Sequence, residues 1–328
     1  MGEPLGIGFL GCGGMAAHLS GVCSKMANAK IVAVYDLVED RARELASRMN
    51  CRAEAKASVF RDRPDGGALT IATPSSTHSA YAVAALERGK HVFCEKPMAL
   101  KVEDCDAMIG AAEKARLTLM VGHVMRFYSG CALAKRAVDE GELGRLLASS
   151  VSRTGWVEVG TWAGSWRRSK EDCQNSLFEC TIHEIDLMRW FMGDVESVQA
   201  YGSNFAHPEL DYDDCSIAVI KFKSGALGTL ESGYAFRMGD HRIKVNGTEG
   251  AFNVDFGTST VRFLAKGAPE RAEPLVTEDP YAAELRHFVE CVAGGKRPLT
   301  DGREGRKAVE IAEAINRSVE TGGRVRIP

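Results

Sequence analysis

The sequence predicts an α/β protein that opens with a doubly wound parallel sheet and continues into a second α/β domain. Three observations predict it. Up to about residue 120, short β-rich runs alternate with longer amphipathic stretches, and parallel strands need such crossovers. After about Gly122 the rhythm changes to successive strand candidates with short turns, which suggests an antiparallel sheet. The length of 328 residues suits two domains and gives each enough chain for a core.

In chain order, Leu5–Leu10 reads as a strand, Gly13 to about Met26 as a helix, Lys30–Tyr35 as a strand and Glu39–Met49 as a helix with charged faces. Ala68–Ala72, His91–Cys94 and Leu117–Val121 are further strands, with helices over Ser76–Arg88 and from about Val102 between them. Phe127–Glu140 is a helix, Leu147–Thr154 a strand, Trp156–Arg168 irregular and Ile182–Met192 a short helix. Strands are expected at Val195–Ser203, Cys215–Phe222, Ala226–Ser232, His241–Asn246, Ala251–Val254 and Thr260–Leu264, joined by turn residues such as Lys223-Ser224-Gly225 and Gly239-Asp240. Helices Tyr281–Val292 and Glu304–Glu320 close the chain, with Gly322-Gly323 as the stop. The change of rhythm sets the expected boundary between a parallel-sheet domain, 1–123, and a second domain, 124–328.

Composition excludes several classes. Hydrophobic residues at 45% and charged residues at 26% are ordinary for a globular chain and exclude a disordered one. With 41 basic and 44 acidic residues, net charge −3, there is no electrostatic reason to expect nucleic acid or an anionic membrane as partner. The 10 cysteines form no CxxC pair and no zinc spacing, and read as core thiols of a reducing compartment. No apolar run reaches the ~20 residues of a membrane span, and no charged stretch followed by an apolar core opens the chain. A cytoplasmic location is the expectation.

The segment after the first strand holds G-x-G-x-x-A at Gly11, Gly13 and Ala16. Gly11 allows the tight turn, Gly13 removes a side chain where a pyrophosphate must approach backbone, and Ala16 permits close helix–strand packing. The helix N-terminus then offers N–H groups and partial positive charge to phosphate. Asp36 ends the second strand, where a carboxylate can accept the adenosine-ribose hydroxyls and repel a 2′-phosphate. That favours NAD over NADP, although Arg41 and Arg43 lie close by in sequence.

Three further segments each follow a parallel strand: Thr73-Pro74-Ser75-Ser76-Thr77-His78, Glu95-Lys96-Pro97 and Gly122-His123-Val124-Met125-Arg126-Phe127. Active sites of doubly wound sheets lie at the carboxyl ends of the strands. Lys96, after a strand and before a proline, could point into such a crevice, where an ammonium stabilises a developing anion. On a helix, Glu179, His183 and Asp186 would share one face, with His183 able to serve as general base near neutrality. His183-Glu184-Ile185-Asp186-Leu187 lacks the second histidine of a zinc helix, and neither a G-x-x-x-x-G-K-[ST] loop nor a G-x-S-x-G elbow is present, so no metal is expected.

With the segment around His183 and the ending Ala283-Glu284-Leu285 … Phe288-Val289, these motifs make essentially the whole chain resemble the Gfo/Idh/MocA oxidoreductases. The resemblance implies a Rossmann domain followed by an α/β domain on an open, mainly antiparallel sheet, which commonly also forms the interface of a homodimer or homotetramer. It implies hydride transfer between NAD(P) and a secondary alcohol or ketone of a sugar, cyclitol or related polyol. Lys96 and His183 would be catalytic, with Glu179 either tuning His183 or contacting substrate. Glu95 would contact the nicotinamide ribose, and Thr73, Pro74, His78, Lys96 and His123 would wall the cofactor. Asp186 would orient the imidazole or hold the helix. Arg126 would contact substrate or form a structural ion pair, and Trp166 could stack on a sugar or simply pack. Glu179 departs from the family's common pattern, which has Asp or Asn four residues before the histidine. Two rival readings share the fold: an NAD-dependent, redox-assisted glycoside hydrolase, and a non-catalytic dinucleotide or sugar sensor.

Overall fold

The computed structural model describes residues 3–58 and 65–328. Strand β1 (Leu5–Leu10), helix α1 (Gly14–Cys23), β2 (Ala29–Tyr35), α2 (Glu39–Met49), β3 (Arg52–Ala53), β4 (Ala68–Ile71), α3 (His78–Leu86), β5 (His91–Cys94), α4 (Val102–Ala115) and β6 (Leu119–Val121) form the first stretch. The sheet order is β3-β2-β1-β4-β5-β6 and every pairing is parallel, the dinucleotide-binding order, with its switch point between β1 and β4. These strands read as near-continuous apolar runs because both faces are covered: Ile7, Phe9, Leu69, Ile71, Val92 and Phe93 are all buried. Helices α2 and α4 carry acidic residues in their first turns and a basic residue in their last, matching the helix dipole, and each ends on a left-handed residue, Asn50 and Arg116.

The second stretch begins with a short turn of helix at Val124–Phe127, then α5 (Ser129–Asp139), β7 (Leu146–Trp156), α6 (Lys170–Cys173), α7 (Ser176–Glu179), α8 (Ile182–Met192), β8 (Val195–Ser203), β9 (Cys215–Phe222), β10 (Leu227–Gly233), β11 (Ala235–Gly247), β12 (Gly250–Asp255), β13 (Thr260–Ala265) and β14 (Arg271–Pro274). Helices α9 (Pro280–Gly294) and α10 (Gly302–Thr321) and strand β15 (Val325–Arg326) complete the chain. The nine-stranded sheet runs β14-β13-β12-β11-β7-β10-β9-β8-β15. It is antiparallel except for β7 against β10. Its strands alternate, as one covered face demands: Ala218, Ile220 and Phe222 are buried, whereas Ile217 and Val219 are exposed.

The chain forms two compact units, one of Met1–His123 with Tyr281–Arg306 and one of Val124–Pro280 with Lys307–Pro328. The segment from Tyr281 to Arg306, expected from sequence to belong to the second domain, therefore packs in the first unit. Its side chains explain why. Phe288 makes an edge-on contact with Phe93 of β5 at 5.7 Å, Tyr281 does the same with His18 of α1 at 4.5 Å, and the Thr300 hydroxyl donates to the Val121 carbonyl at 2.7 Å.

Candidate active site

In the first unit the sequence-expected residues gather at the carboxyl ends of β1, β2, β4, β5 and β6. Gly11 has φ +90, and a Cβ there would lie 2.4 Å from the Ala72 carbonyl oxygen, so the turn accepts only glycine. A Cβ built on Gly13 or Gly14 meets nothing within 4 Å, which leaves open space over the start of α1. No side chain caps that helix and no acidic residue stands in its first turn, so its N–H groups are left for an anion. Asp36 accepts from the Cys12 and Val38 backbone N–H groups, each at 2.8 Å, tying the glycine turn to the end of β2. Arg43 is committed to Glu39 and Asp40 on its own helix, at 3.1 and 2.5 Å. This arrangement fits a dinucleotide: the turn and helix would hold its pyrophosphate, and Asp36 would be the carboxylate available to its ribose hydroxyls.

Glu95 and Lys96 directly follow β5, and the Lys96–Pro97 bond is cis. Glu95 is buried and its Oε2 accepts from the Lys96 N–H at 3.1 Å. Burial pushes its carboxyl up to about 7, against the opposing pull of Lys96. A Cβ on Gly122 would come within 3.3 Å of all three atoms of that carboxylate, so this glycine gives Glu95 its room. Lys96 is half-buried and His123 is buried. The Thr73 hydroxyl meets that of Thr77 at 2.7 Å, and Thr77 in turn donates to the Pro74 carbonyl.

The His78 side chain turns inward, so any part it takes in walling a cofactor falls to its backbone. It is 1% exposed, with Nδ1 2.8 Å from the Pro97 carbonyl and Nε2 2.9 Å from the Thr73 carbonyl. It links the backbones of the loops that follow β4 and β5. Burial drives its pKa down while the two carbonyls oppose that shift, and a neutral ring can donate to only one of them at a time.

In the second unit the expected stripe of Glu179, His183 and Asp186 is interrupted. Asn175 caps the single turn α7, its side chain accepting from the Leu177 N–H at 3.1 Å, and α8 starts only at Ile182. Ser232 of β10 pins the break, meeting the Ser176 hydroxyl at 2.8 Å and the Thr181 hydroxyl at 2.7 Å. Glu179 therefore stands apart from the helix that carries His183. Its Oε1 accepts from Arg167 Nε at 2.7 Å, and its Oε2 accepts from Cys180 Sγ at 2.7 Å and the Tyr234 hydroxyl at 3.4 Å. Burial, reinforced by Cys180 and Glu179, pushes the Tyr234 hydroxyl well above its ordinary range, so it remains a donor. The Arg167 guanidinium lies 4.5 Å from the Trp166 ring centroid, and Trp162 meets Tyr234 edge-on at 5.4 Å. Trp166 thus packs on the same cluster that holds Glu179.

Arg126 and Asp186 form a bidentate ion pair, at 2.7 and 2.6 Å, with side chains 1% and 2% exposed. The guanidinium also lies 5.2 Å from the Trp190 ring, one turn further along α8. Of the alternatives expected for Arg126 and Asp186, the structure shows the ion pair, which ties α8, and His183 with it, to the turn at Val124–Phe127.

Sequence reasoning missed a second brace on the same helix. Arg153 Nη1 donates to His241 Nδ1 at 2.8 Å, which leaves Nε2 as the N–H that donates to Glu184 Oε1 at 2.6 Å. The only local signal was an acidic residue beside His183 on a buried helix. Among the described residues no group of three or more His, Cys, Asp or Glu side chains is placed to hold a metal, and no helix is long and apolar enough to cross a membrane.

Comparison with known proteins decides the family. The oxidoreductase-family description "NAD-binding Rossmann fold" matches residues 5–123, and the same family's "C-terminal alpha/beta domain" matches residues 135–327. The chain belongs to the Gfo/Idh/MocA oxidoreductase family. Its parallel sheet is therefore the family's NAD-binding Rossmann domain. A 2,7-anhydro-N-acetylneuraminate hydratase of Mediterraneibacter gnavus is 28% identical over 96% of this chain and 95% of that protein. The scyllo-inositol 2-dehydrogenase (NAD(+)) of Bacillus subtilis is 30% identical over 98% of this chain and 95% of that protein. Among solved structures, an aldose-aldose oxidoreductase of Caulobacter crescentus complexed with glycerol superposes with a TM-score of 0.91 at 26% identity, covering 99% of this chain and 100% of that one.

Proposed function

We propose that this family member is an NAD-dependent dehydrogenase acting on a secondary alcohol, or the matching ketone, of a sugar, cyclitol or related polyol. The observation that carries the reading is the Glu95-Lys96 pair at the carboxyl end of β5, on the same edge of the sheet as the glycine turn. Bound NAD supplies the hydride acceptor or donor at its nicotinamide. Lys96 stabilises negative charge on the carbinol oxygen. His183 takes the hydroxyl proton in oxidation and returns it in reduction, a role that typically contributes ~10²–10⁴-fold. Glu179, held by Arg167 and Tyr234, accepts a neighbouring substrate hydroxyl or tunes His183. Arg126 and Asp186 position the helix of His183. The inositol dehydrogenase relative supports the polyol class.

A second reading draws support from the hydratase relative. There the sugar would be oxidised and reduced again within one turnover, so that NAD is regenerated and no reduced dinucleotide accumulates. The test is a panel of inositols, aldoses, sugar acids, anhydrosugars and aryl glycosides with NAD and NADP in parallel, following both reduced dinucleotide and product. Reduced dinucleotide with a free polyol is the expected result. Product without it moves the assignment to the second reading, and silence in both channels with NAD bound favours a sensor.

Within this proposal the protein is cytoplasmic and works as a homodimer or homotetramer. The support is the exposed sheet face, where Tyr201 pairs with Ile217 across β8 and β9, and Val219 and Leu227 continue it, at 71%, 47%, 54% and 54% exposure. Faces of this kind on soluble proteins usually mark an interface. Val219→Glu is expected to lower the mass measured by light scattering to that of a smaller assembly. An unchanged mass places the interface elsewhere.

A further inference from the structure

A buried acid behind Glu95 has no part in the chemistry described above. Glu284, on α9, is 0% exposed, and neither of its carboxyl oxygens has a hydrogen-bond partner among the described residues. Its place follows from two periodicities. Residues two apart share a face of a strand's path and residues four apart share a face of a helix. The Phe93–Phe288 contact joins β5 to α9; Glu95 follows two residues after Phe93, Glu284 precedes Phe288 by one helical turn, and the two carboxyls are near enough to act on each other. The two carboxyls repel each other, and burial followed by that repulsion holds Glu284 well above the ordinary carboxylate range. On its other side Glu95 feels Lys96, next in sequence, and itself raises the thiol of Cys94, which burial raises further.

A buried carboxyl without partners costs stability, so its retention calls for a use. We propose that Glu284 is a positioning residue that stays a neutral carboxylic acid and donates its O–H to the Glu95 carboxylate when Glu95 engages the bound dinucleotide, so that the pair carries one negative charge. The proposal rests on the reading that Glu95 contacts the cofactor. Nothing is transferred but a hydrogen bond; the proton stays on Glu284.

The experiment is NAD titration by calorimetry and by protein fluorescence across pH 6 to 10 (the roughly neutral-to-alkaline window in which a raised carboxyl titrates), on wild type, Glu284→Gln, Glu284→Leu and Glu95→Gln. Wild-type affinity is expected to fall at the alkaline end as Glu284 ionises beside Glu95. Glu284→Gln, whose amide still donates but never ionises, keeps neutral-pH affinity and loses the alkaline fall. Glu284→Leu binds roughly tenfold more weakly at neutral pH, the loss of about one charge-assisted hydrogen bond.

Thermal melts read the same acid independently of NAD. Glu284 has its folded pKa above its unfolded one, so its contribution is greatest below the unfolded carboxylate pKa and is lost as pH rises toward the folded value. Glu284→Gln should therefore gain on wild type with rising pH. Identical alkaline profiles for wild type and Glu284→Gln, with unchanged melts, overturn the proposal while Glu95→Gln still weakens binding. Unchanged binding by Glu95→Gln overturns the underlying reading of Glu95 instead.

Discussion

Lys96→Met lowers turnover by roughly 10²–10³-fold at saturating NAD, the usual effect of removing one group that stabilises charge in the transition state. The substitution keeps the length and the apolar stem of the side chain and deletes only the ammonium. NAD affinity, measured by fluorescence titration, stays within a few-fold of wild type, because the glycine turn, the α1 N-terminus and Asp36 remain. Rate and binding thus separate, as expected of a group whose interaction strengthens only as the alkoxide forms. Full turnover by this variant with NAD bound removes Lys96 from the chemistry and leaves the family assignment standing without its proposed mechanism.

Arg126→Met is expected to destabilise the second unit by about 3–5 kcal/mol, since it strands the Asp186 carboxylate, 2% exposed, without its bidentate partner. In a unit of this size that is a fall in midpoint of roughly 6–20 °C in a thermal melt. The double variant Arg126→Met/Asp186→Leu should recover most of the loss, because a buried ion pair replaced by apolar groups is often close to neutral. Activity separates the two roles considered for the pair. If Arg126 and Asp186 only hold the helix of His183, the refolded double variant keeps the KM for substrate and loses kcat modestly. If they touch substrate, its KM rises sharply despite restored stability.

The sequence made the first unit legible to within a residue or two at most elements. Strand β1, Leu5–Leu10, and strand β5, His91–Cys94, have the expected bounds, because parallel strands covered on both faces are unbroken apolar runs. The second sheet was harder where local pattern and pairing disagree. Strand β11 was expected only over His241–Asn246 but starts at Ala235, with an irregular register between Ala235 and Asp240 where it pairs with β7. Gly239-Asp240 reads as a turn by composition, and only the partner strand carries the ladder past it, from Ala235 opposite Trp156 to Asp240 opposite Thr154. Strands β3, β14 and β15 are two to four residues long and exist through their neighbours.

The site divides in the same way. The glycine turn, Asp36, Glu95 and Lys96 were readable because each is bound to a strand end in sequence order. The split at Cys180-Thr181 was not, because Ser232, 51 residues away from Thr181, sets it. The partners of Glu179 and Glu184 come from 12 and 57 residues away, through Arg167 and His241. Glu284 did leave a local signal: it is a carboxylate on the apolar face of a helix, one turn before Phe288.

In the proposed function, transfer of hydride between the substrate's carbinol carbon and NAD is the decisive step. It is tested most directly with a polyol substrate deuterated at that carbon, followed by mass spectrometry of dinucleotide and product. The expected result is one deuterium in each reduced nicotinamide and a ketone product in equal amount. Deuterium retained in a rearranged or hydrated sugar, with NAD unchanged, contradicts net dehydrogenation and assigns the protein to internal redox chemistry; deuterium lost to water contradicts hydride transfer altogether.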